Sequence, residues 1–177
     1  MAQLLKERHI GRIKSMTSSM FVVSLDDNLF TMERTVNGKV YRIGQIGSFI
    51  VMPIGDVEVV GIVNRVYQAS ELNREIEAQV IGSVAGGKFQ KGVAVFPTLG
   101  CDVYMTDEES VATIFASFAQ YGFAVGDISG FPGERQYIDP NKFFGKHIAV
   151  LGSSGSGKST TVASILQKVH MFENTHV

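Results

Sequence analysis

The sequence reads Gly152-Ser153-Ser154-Gly155-Ser156-Gly157-Lys158-Ser159-Thr160 between an apolar run of strand type, residues 147–151, and a helix predicted over residues 159–169. This spelling fits the pattern G-x-x-x-x-G-K-[ST]. A glycine-rich turn between a strand and a helix aims several backbone N–H groups, and the positive end of the helix dipole, at one point in space. The three glycines are predicted to allow a close backbone approach and positive φ angles without steric cost. This part of the chain therefore predicts a binding site for phosphate groups.

The last three residues of the loop carry the chemistry of a nucleotide site. Lys158 is predicted to bring a point charge to the β- and γ-phosphates, as the one catalytic side chain, and the Ser159 hydroxyl to ligate Mg²⁺. Thr160 adds a hydroxyl and an amide further along the phosphate chain. The alternative is a serine/glycine linker that matches by chance, and the order of strand, loop and helix disfavours it. All nine residues from 152 to 160 are therefore predicted to bind nucleotide.

Composition indicates a globular protein of the cytoplasm. The chain has 177 residues, of which 45% are hydrophobic, enough for one or two small domains with cores. Sixteen basic and seventeen acidic residues give a net charge of −1, which excludes a global positive field for nucleic acid. The single Cys101 excludes an intrachain disulfide framework and fits a reducing cytoplasm, and we expect it to be a small buried hydrophobe. The histidines are scattered, without metal-ligand spacing.

The first hundred residues alternate between short β-type runs and turn residues. Strands are predicted at residues 10–14, 20–25, 29–36, 39–43, 48–53, 57–68, 76–80 and 93–96. Gly86-Gly87 is predicted to form a loop. The run Val60–Val63 breaks the alternation of its strand, which indicates a bulge or burial on both faces. So many short strands, with no helix before residue 106, predict a small antiparallel β-barrel.

A helix is predicted to follow the barrel. Thr106-Asp107-Glu108-Glu109 is a capping-box signature, and apolar residues then recur at helical spacing as far as Phe118. Strands at 125–128 and 135–138 and a turn at Asp139-Pro140-Asn141 are predicted to lead to the phosphate-binding loop. Three segments follow from this order: a barrel domain for assembly and docking at 1–105, a helix with connecting strands at 106–140, and the start of a nucleotide-binding domain at 141–177.

Taken together, these features resemble the N-terminal part of HerA-type ATPases, the DNA-translocating motors of the HerA/FtsK group. The matching residues lie in the barrel, in its last hairpin and in the approach to the loop: Ile46–Ile50, Val59–Tyr67, Gly92-Val93, Pro97–Gly100, Val103 and Gly145–Gly152. The resemblance spans nearly the whole chain. It implies a small HAS-barrel-like domain followed by the start of an α/β RecA-like P-loop NTPase domain.

The resemblance also implies an activity and partners. It implies a homo-hexameric ring that binds ATP and Mg²⁺, with double-stranded DNA in the central pore and a partner docked on the barrel. That partner is a NurA-like nuclease in archaeal relatives, and a sirtuin-type protein or another nuclease effector in bacterial antiviral relatives; no membrane is implied. The family's second acidic motif and arginine finger have no counterpart here. We therefore expect this chain to be the front end of a longer ATPase, and expect residues 1–177 alone to be inactive.

Two other interpretations stay open at this point. The loop also resembles that of transporter-type (ABC) ATPases, although those place it near the start of the nucleotide domain and not behind a barrel. In the other interpretation the protein is an assembly module, in which the barrel recruits a partner and nucleotide only orders the ring. A docking surface on the barrel is predicted at its charged rim loops, Ser70–Glu75 and Asp26–Asn28.

Overall fold

A computed structural model describes residues 7–29, 31–36, 38–71, 73–128, 131 and 133–169. The chain divides into two units, residues 1–117 and 118–177. Between residues 9 and 105 the described part of the first unit consists of strands and their connections. These are β1 (His9–Met16), β2 (Met20–Leu25), β3 (Glu33–Val36), β4 (Lys39–Arg42), β5 (Phe49–Ile54), β6 (Val57–Gln68), β7 (Arg74–Ala85), β8 (Lys88–Lys91) and β9 (Asp102–Met105).

Six of these strands close into an antiparallel barrel, which confirms the predicted architecture. Their order is β2-β1-β9-β5-β6-β7, and β2 pairs with β7 to complete the ring. The closing register runs from Met20 opposite Gln79 to Ser24 opposite Glu75. Beyond β2, the end of β7 pairs with β8 instead, and β3 and β4 form a separate hairpin. Closure gives each of the six strands a neighbour on both sides, which satisfies their backbone hydrogen bonds.

Apolar side chains fill the interior of the barrel. Along β2 the residues Phe21, Val23 and Leu25 are buried and alternate with half-buried ones, as expected for a strand with one face on a core. The predicted irregularity in β6 is confirmed, because the register with β7 shifts between Val60 and Gly61. Gly61 is required by packing: a Cβ at this position would lie 2.5 Å from Cζ of Phe21. The two residues therefore share one space in the core.

A buried carboxylate sits where the barrel closes. Glu75, at the start of β7, is only 4% exposed. Its side chain accepts hydrogen bonds from Lys14 Nζ at 2.7 Å, from the Tyr67 hydroxyl at 2.9 Å and from Asn73 Nδ2 at 3.3 Å. These donors come from β1, from β6 and from the turn that precedes β7. The hydrogen bond from the Lys14 ammonium, followed by that from Tyr67, holds the pKa of Glu75 below its usual range despite its burial.

Several strand predictions are wrong: β7 runs five residues beyond its predicted end, β9 was not predicted, and two further strands are displaced or shortened. Residues 93–96 form no strand, and β8 lies at Lys88–Lys91 instead. Gly86 and Gly87 both have positive φ, +55° and +70°, so they make a two-residue hairpin turn and the returning strand starts at once. The strand predicted from residue 29 begins only at Glu33. Before it, Leu29 N–H donates to the Asp26 carbonyl at 3.1 Å, which places the turn where the first half of that strand was expected.

The helix after the barrel is confirmed, with its cap one residue later than predicted. Helix α1 spans Glu108–Ala119. The carboxylate of Asp107, not the hydroxyl of Thr106, caps it, because Asp107 Oδ1 accepts from Ser110 N–H at 2.8 Å. Thr106 instead donates its hydroxyl to the Phe49 carbonyl at 3.1 Å. The helix is amphipathic as predicted, and its buried residues are Val111, Ile114 and Phe115.

The described part of the second unit contains a hairpin and two helices. Its strands are β10 (Phe123–Asp127) and β11 (Arg135–Ile138), which confirm the two predicted strands and pair antiparallel. Its helices are α2 (Pro140–Phe144) and α3 (Lys158–Val169). Helix α2 was missed. Asp139-Pro140 was predicted to be a turn, but Asp139 caps the helix and Pro140 begins it, a pairing that is favourable because proline needs no N–H acceptor there. Among the described residues no helix is long and apolar enough to cross a membrane.

We predict that Glu75→Gln destabilises the barrel by about 1–2 kcal/mol at neutral pH, because two charge-assisted hydrogen bonds are lost. The pKa of Glu75 is lower in the folded than in the unfolded state. Its contribution is therefore fully present above about pH 5 and is lost as the pH falls below about 4. Denaturant unfolding of both proteins should show a constant stability gap above about pH 5 that closes as the pH falls below about 4. The control is Glu71→Gln, in the exposed turn nearby; a gap that stays the same at acid pH would contradict the role of this ion pair.

Candidate nucleotide-binding site

The apolar run ahead of the loop is not a strand. Residues 147–151 have no ladder partner among the described residues, so the strand prediction there is wrong. Ile148 is 47% exposed and Leu151 is 91% exposed. The run has the composition of a strand buried in a sheet, but a strand exists only when a neighbouring strand satisfies its backbone.

The loop from Gly152 to Gly157 contains three glycines, and two of them have the positive φ angle that was predicted. Gly155 and Gly157 have φ of +78° and +85°, and a Cβ built on either would meet nothing within 4 Å. The prediction of positive φ is wrong for Gly152, which has a different reason to be glycine. A Cβ there would lie 2.5 Å from Ser156 Oγ, across the loop. The loop therefore combines two left-handed turns with one close internal approach.

Helix α3 begins directly after the loop, at Lys158, within one residue of the predicted start. Its first α-helical bond runs from Thr161 N–H to the Gly157 carbonyl at 2.9 Å. The N–H groups of residues 158–160 precede that bond and have no acceptor in a preceding helical turn. Such groups, together with the positive end of the helix dipole, form an anion-binding site. Ser159 and Thr160 are exposed, so their hydroxyls are open to a ligand.

The side chain of Lys158 lies across the loop. Its ammonium donates to the Ser153 carbonyl at 2.6 Å, and the residue is half-buried. An ammonium has three N–H donors, so one bond to this carbonyl leaves two for phosphate oxygens. The lysine therefore fixes the shape of the loop and keeps the donors that the site needs.

Local charge favours an anion at this loop. Residues 145–169 contain Lys146, Lys158 and Lys168 and no aspartate or glutamate. Although the whole chain has a net charge of −1, all the Asp, Glu, Lys and Arg side chains in this segment are lysines. A phosphate group at the loop meets this positive field in addition to the backbone N–H groups.

Other residues with reactive side chains are accounted for by structure. Cys101 is half-buried and not fully buried as expected; it packs against the barrel core, and partial burial raises the pKa of its thiol. His9 is not an incidental surface residue. Its ring nitrogens lie 2.8 Å from Asp26 Oδ2 and 3.2 Å from Asp102 Oδ1, so it ties β1 to two other segments. The hydrogen bond from Arg12 lowers the pKa of Asp102.

Sequence reasoning missed several residues around the loop. The Ser153 carbonyl, Lys168 and the aromatic side chains of Phe123, Phe143 and Phe144 all hold elements of this unit together. The adjacent phenylalanines and the Asp139-Pro140 helix start were visible signals in the sequence. The carbonyl contact and the partner of Lys168 had no local signal, because each depends on the path of the folded chain.

Residues 123–177 match the family model described as the central domain of helicase HerA. The match begins at β10 and includes the whole loop and α3. The C-terminal part of the chain is therefore similar to the central domain of HerA-type ATPases, as the resemblance implied. The family implies ATPase activity for the complete protein, and the match favours this class over the transporter-type alternative. No curated protein matches the chain.

We predict that Lys158→Ala weakens nucleotide binding by about 10- to 150-fold, the value of a charge-assisted hydrogen bond to phosphate. Isothermal calorimetry with an ATP analogue and Mg²⁺ on the complete protein measures this loss. The control is Lys146→Ala, which removes the same charge from an exposed position six residues before the loop. Equal affinities for the Lys158→Ala and wild-type proteins would remove this lysine from the site.

Proposed function

We propose that this chain is part of an ATP-dependent DNA translocase of HerA type, with ATP and Mg²⁺ bound at residues 152–160. The observation that carries the proposal is the position of the loop. A glycine-rich turn that ends in the N-terminus of α3 lies inside the segment that matches the HerA family model. Motif, local geometry and family thus support one site.

Each part of the loop has a role in this proposal. The N–H groups at the start of α3 and the loop backbone surround the phosphates, while Lys158 donates to the β- and γ-phosphate oxygens. The Ser159 hydroxyl is the protein ligand for Mg²⁺, and Thr160 contacts the phosphate chain next to it. Bound Mg²⁺ supplies charge neutralisation as negative charge develops on the transferred phosphate. The exposed hydroxyls and the absence of acidic residues from 145 to 169 fit this set of ligands.

We further propose a homo-hexamer that encloses double-stranded DNA, a RecA-like fold for the complete nucleotide-binding domain, and a cytoplasmic location. The HerA match supports the first two, and the single cysteine of the sequence, which stays a free thiol, supports the third. With a net charge of −1, this chain has no general attraction for DNA. Contact with DNA is therefore expected from local basic loops rather than from the surface as a whole.

ATP turnover by the complete protein tests the proposed activity. We expect double-stranded DNA to stimulate turnover, because a translocase couples hydrolysis to its track, and we expect Lys158→Ala to lower kcat by about 10²-fold or more. Steady-state phosphate release with and without DNA measures both. Turnover that is insensitive to DNA would instead support the assembly-module interpretation, and nucleotide binding without any turnover would do the same.

The barrel is proposed as the docking domain for a partner of the nuclease or sirtuin type that the resemblance implies, but the predicted contact residues need revision. Two members of the rim loop Ser70–Glu75 are held by the barrel, one half-buried and one buried. Arg74 donates to the Leu29 carbonyl at 3.0 Å, and Glu75 is buried at the seam. Leu72 lies outside the described residues. Changing Arg74 or Glu75 would therefore disturb the barrel and would not report on docking.

Two exposed acidic residues remain on this rim, Asp27 and Glu71. They lie in turns next to each other, because β2 and β7 are antiparallel neighbours and Ser24 Oγ donates to Asn73 Oδ1 at 3.0 Å. Two exposed acidic residues in adjacent turns favour a basic surface on a partner, through electrostatic steering and charge complementarity. These two residues replace the original candidates.

The docking surface is tested by Asp27→Arg/Glu71→Arg. We expect binding of the co-purifying partner to fall by about tenfold or more, mainly through a slower association rate, with basal ATPase activity unchanged. Surface plasmon resonance at two salt concentrations measures the effect. Asp56→Arg is the matched control, since Asp56 is an exposed acid in the turn before β6, at the opposite end of the barrel. Full binding by the double variant would exclude this rim.

A further inference from the structure

Strand β10 contacts the segment that leads into the phosphate-binding loop. Phe123, the first residue of β10, is 2% exposed, and its ring centroid lies 5.5 Å from that of Phe144 and 6.2 Å from that of Phe143. The last two rings are themselves 5.1 Å apart. These spacings are those of favourable edge-to-face and tilted aromatic pairs. The end of α2, eight residues before Gly152, is therefore held on β10.

The connection between this hairpin and α2 is tight. Ile138 ends β11, and Asp139 immediately caps α2, its carboxylate accepting from the N–H groups of Asn141 at 3.1 Å and Lys142 at 3.3 Å. No flexible linker separates the two elements. The path from the hairpin into the loop is thus fixed by a cap and by aromatic packing.

Strand β10 also contacts the segment that leaves the loop. Lys168, in the last turn of α3, donates from Nζ to the Ala124 carbonyl at 2.9 Å. Ala124 follows Phe123 directly, at the point where the register between β10 and β11 shifts. Consecutive residues of one strand therefore hold both flanks of the loop. In α3 the buried residue is Val169, next to Lys168, while Ser159 and Thr160 at the other end are exposed.

We propose that Lys168 is a positioning residue for nucleotide binding: by fixing the end of α3 to β10, it sets the direction in which the helix N-terminus faces the phosphates. This inference rests on the proposed nucleotide site. Lys168 does not touch the nucleotide in this role. It acts through α3, whose first residues supply the N–H groups, Lys158 and the Ser159 hydroxyl.

Because α3 is about three turns long, a small change in its tilt at Lys168 displaces its N-terminal end appreciably. Ten residues separate Lys168 from Lys158, which corresponds to about 15 Å of helix, so a tilt of about 4° at the anchor moves the phosphate end by about 1 Å. Phosphate contacts lose strength steeply with such displacements, and a misplacement of about 1 Å far from the chemistry can cost about 10²-fold in activity. A single hydrogen bond at the end of the helix is therefore expected to affect affinity at its start.

A competing explanation is that Lys168 only provides a cation at the C-terminal end of a helix, where it interacts with the macrodipole. The two explanations differ in what a neighbouring lysine can replace. Gln167 is exposed on the same turn. In the double variant Lys168→Met/Gln167→Lys the charge returns to the last turn, but the bond to the Ala124 carbonyl does not, because adjacent helical residues point about 100° apart.

The experiment measures the dissociation constant of an ATP analogue with Mg²⁺, and KM and kcat for ATP, on the complete protein. We expect Lys168→Met to raise the dissociation constant and KM about tenfold with a smaller change in kcat, Lys168→Arg to restore both, and Lys168→Met/Gln167→Lys to stay impaired. Lys142→Met is the charge-matched control, since Lys142 lies in the last turn of the other helix of this unit. Circular dichroism verifies that each variant is folded.

Each other result overturns the proposal in a recognisable way. Wild-type affinity in Lys168→Met, or recovery in the double variant, would leave nucleotide binding intact and remove the positioning role. If Lys168→Met does not fold, Lys168→Arg decides, because an affinity below that of the wild type in that folded variant would show that a donor at this position is not sufficient. Failure of the wild-type protein to bind nucleotide would refute the proposed site itself.

Discussion

The pairing of β2 with β7 is the constraint on which the first unit depends. A sheet of six strands that stayed open would expose the backbone of β2 and of half of β7. Closure satisfies these groups and encloses the core, and it brings Glu75 into the interior beside three donors. The carboxylate is stable there because every donor is in place; with any one missing, the same burial would be costly. The seam thus joins backbone pairing, core packing and electrostatics at one position.

The described elements of the second unit are held together by a few specific side-chain contacts and not by a closed sheet. Its hairpin of β10 and β11 holds a short helix through aromatic rings and a long helix through a lysine, and the phosphate-binding loop lies between the two attachments. The loop itself is exposed and has few contacts of its own besides the bond between Lys158 and the Ser153 carbonyl. Exposure fits the proposed entry of phosphate, and the flanking attachments fit the fixed direction that the proposed site requires. Access and precision are thus provided by separate residues.

Much of this fold could be predicted from local patterns. The bounds of β2 and β6 were predicted to the residue, because each strand has turn residues on both sides. The errors have particular causes. Gly86-Gly87 forms a two-residue turn, so β8 starts five residues earlier in the chain than predicted. Asp107 caps the helix instead of the adjacent Thr106. Asp139-Pro140 begins a helix where a turn was predicted. In each case two local signals pointed to neighbouring positions, and the backbone geometry of the folded chain selected one.

The sequence by itself determined the residue types and spacing of the loop, from which a phosphate site is predicted, and the β-rich nature of the first hundred residues. Both follow from residue types at fixed local spacing: glycines, lysine and hydroxyls before a helix, and alternating apolar residues between turns. Only the tertiary structure decided that Glu75 is internal, that residues 147–151 lack a strand partner here, and that Lys168 reaches Ala124, 44 residues away. The physical reason is that burial, strand pairing and side-chain partners depend on which distant segments meet. The local sequence around a charged residue does not specify whether its side chain faces water, pairs with a distant group or is buried in a core.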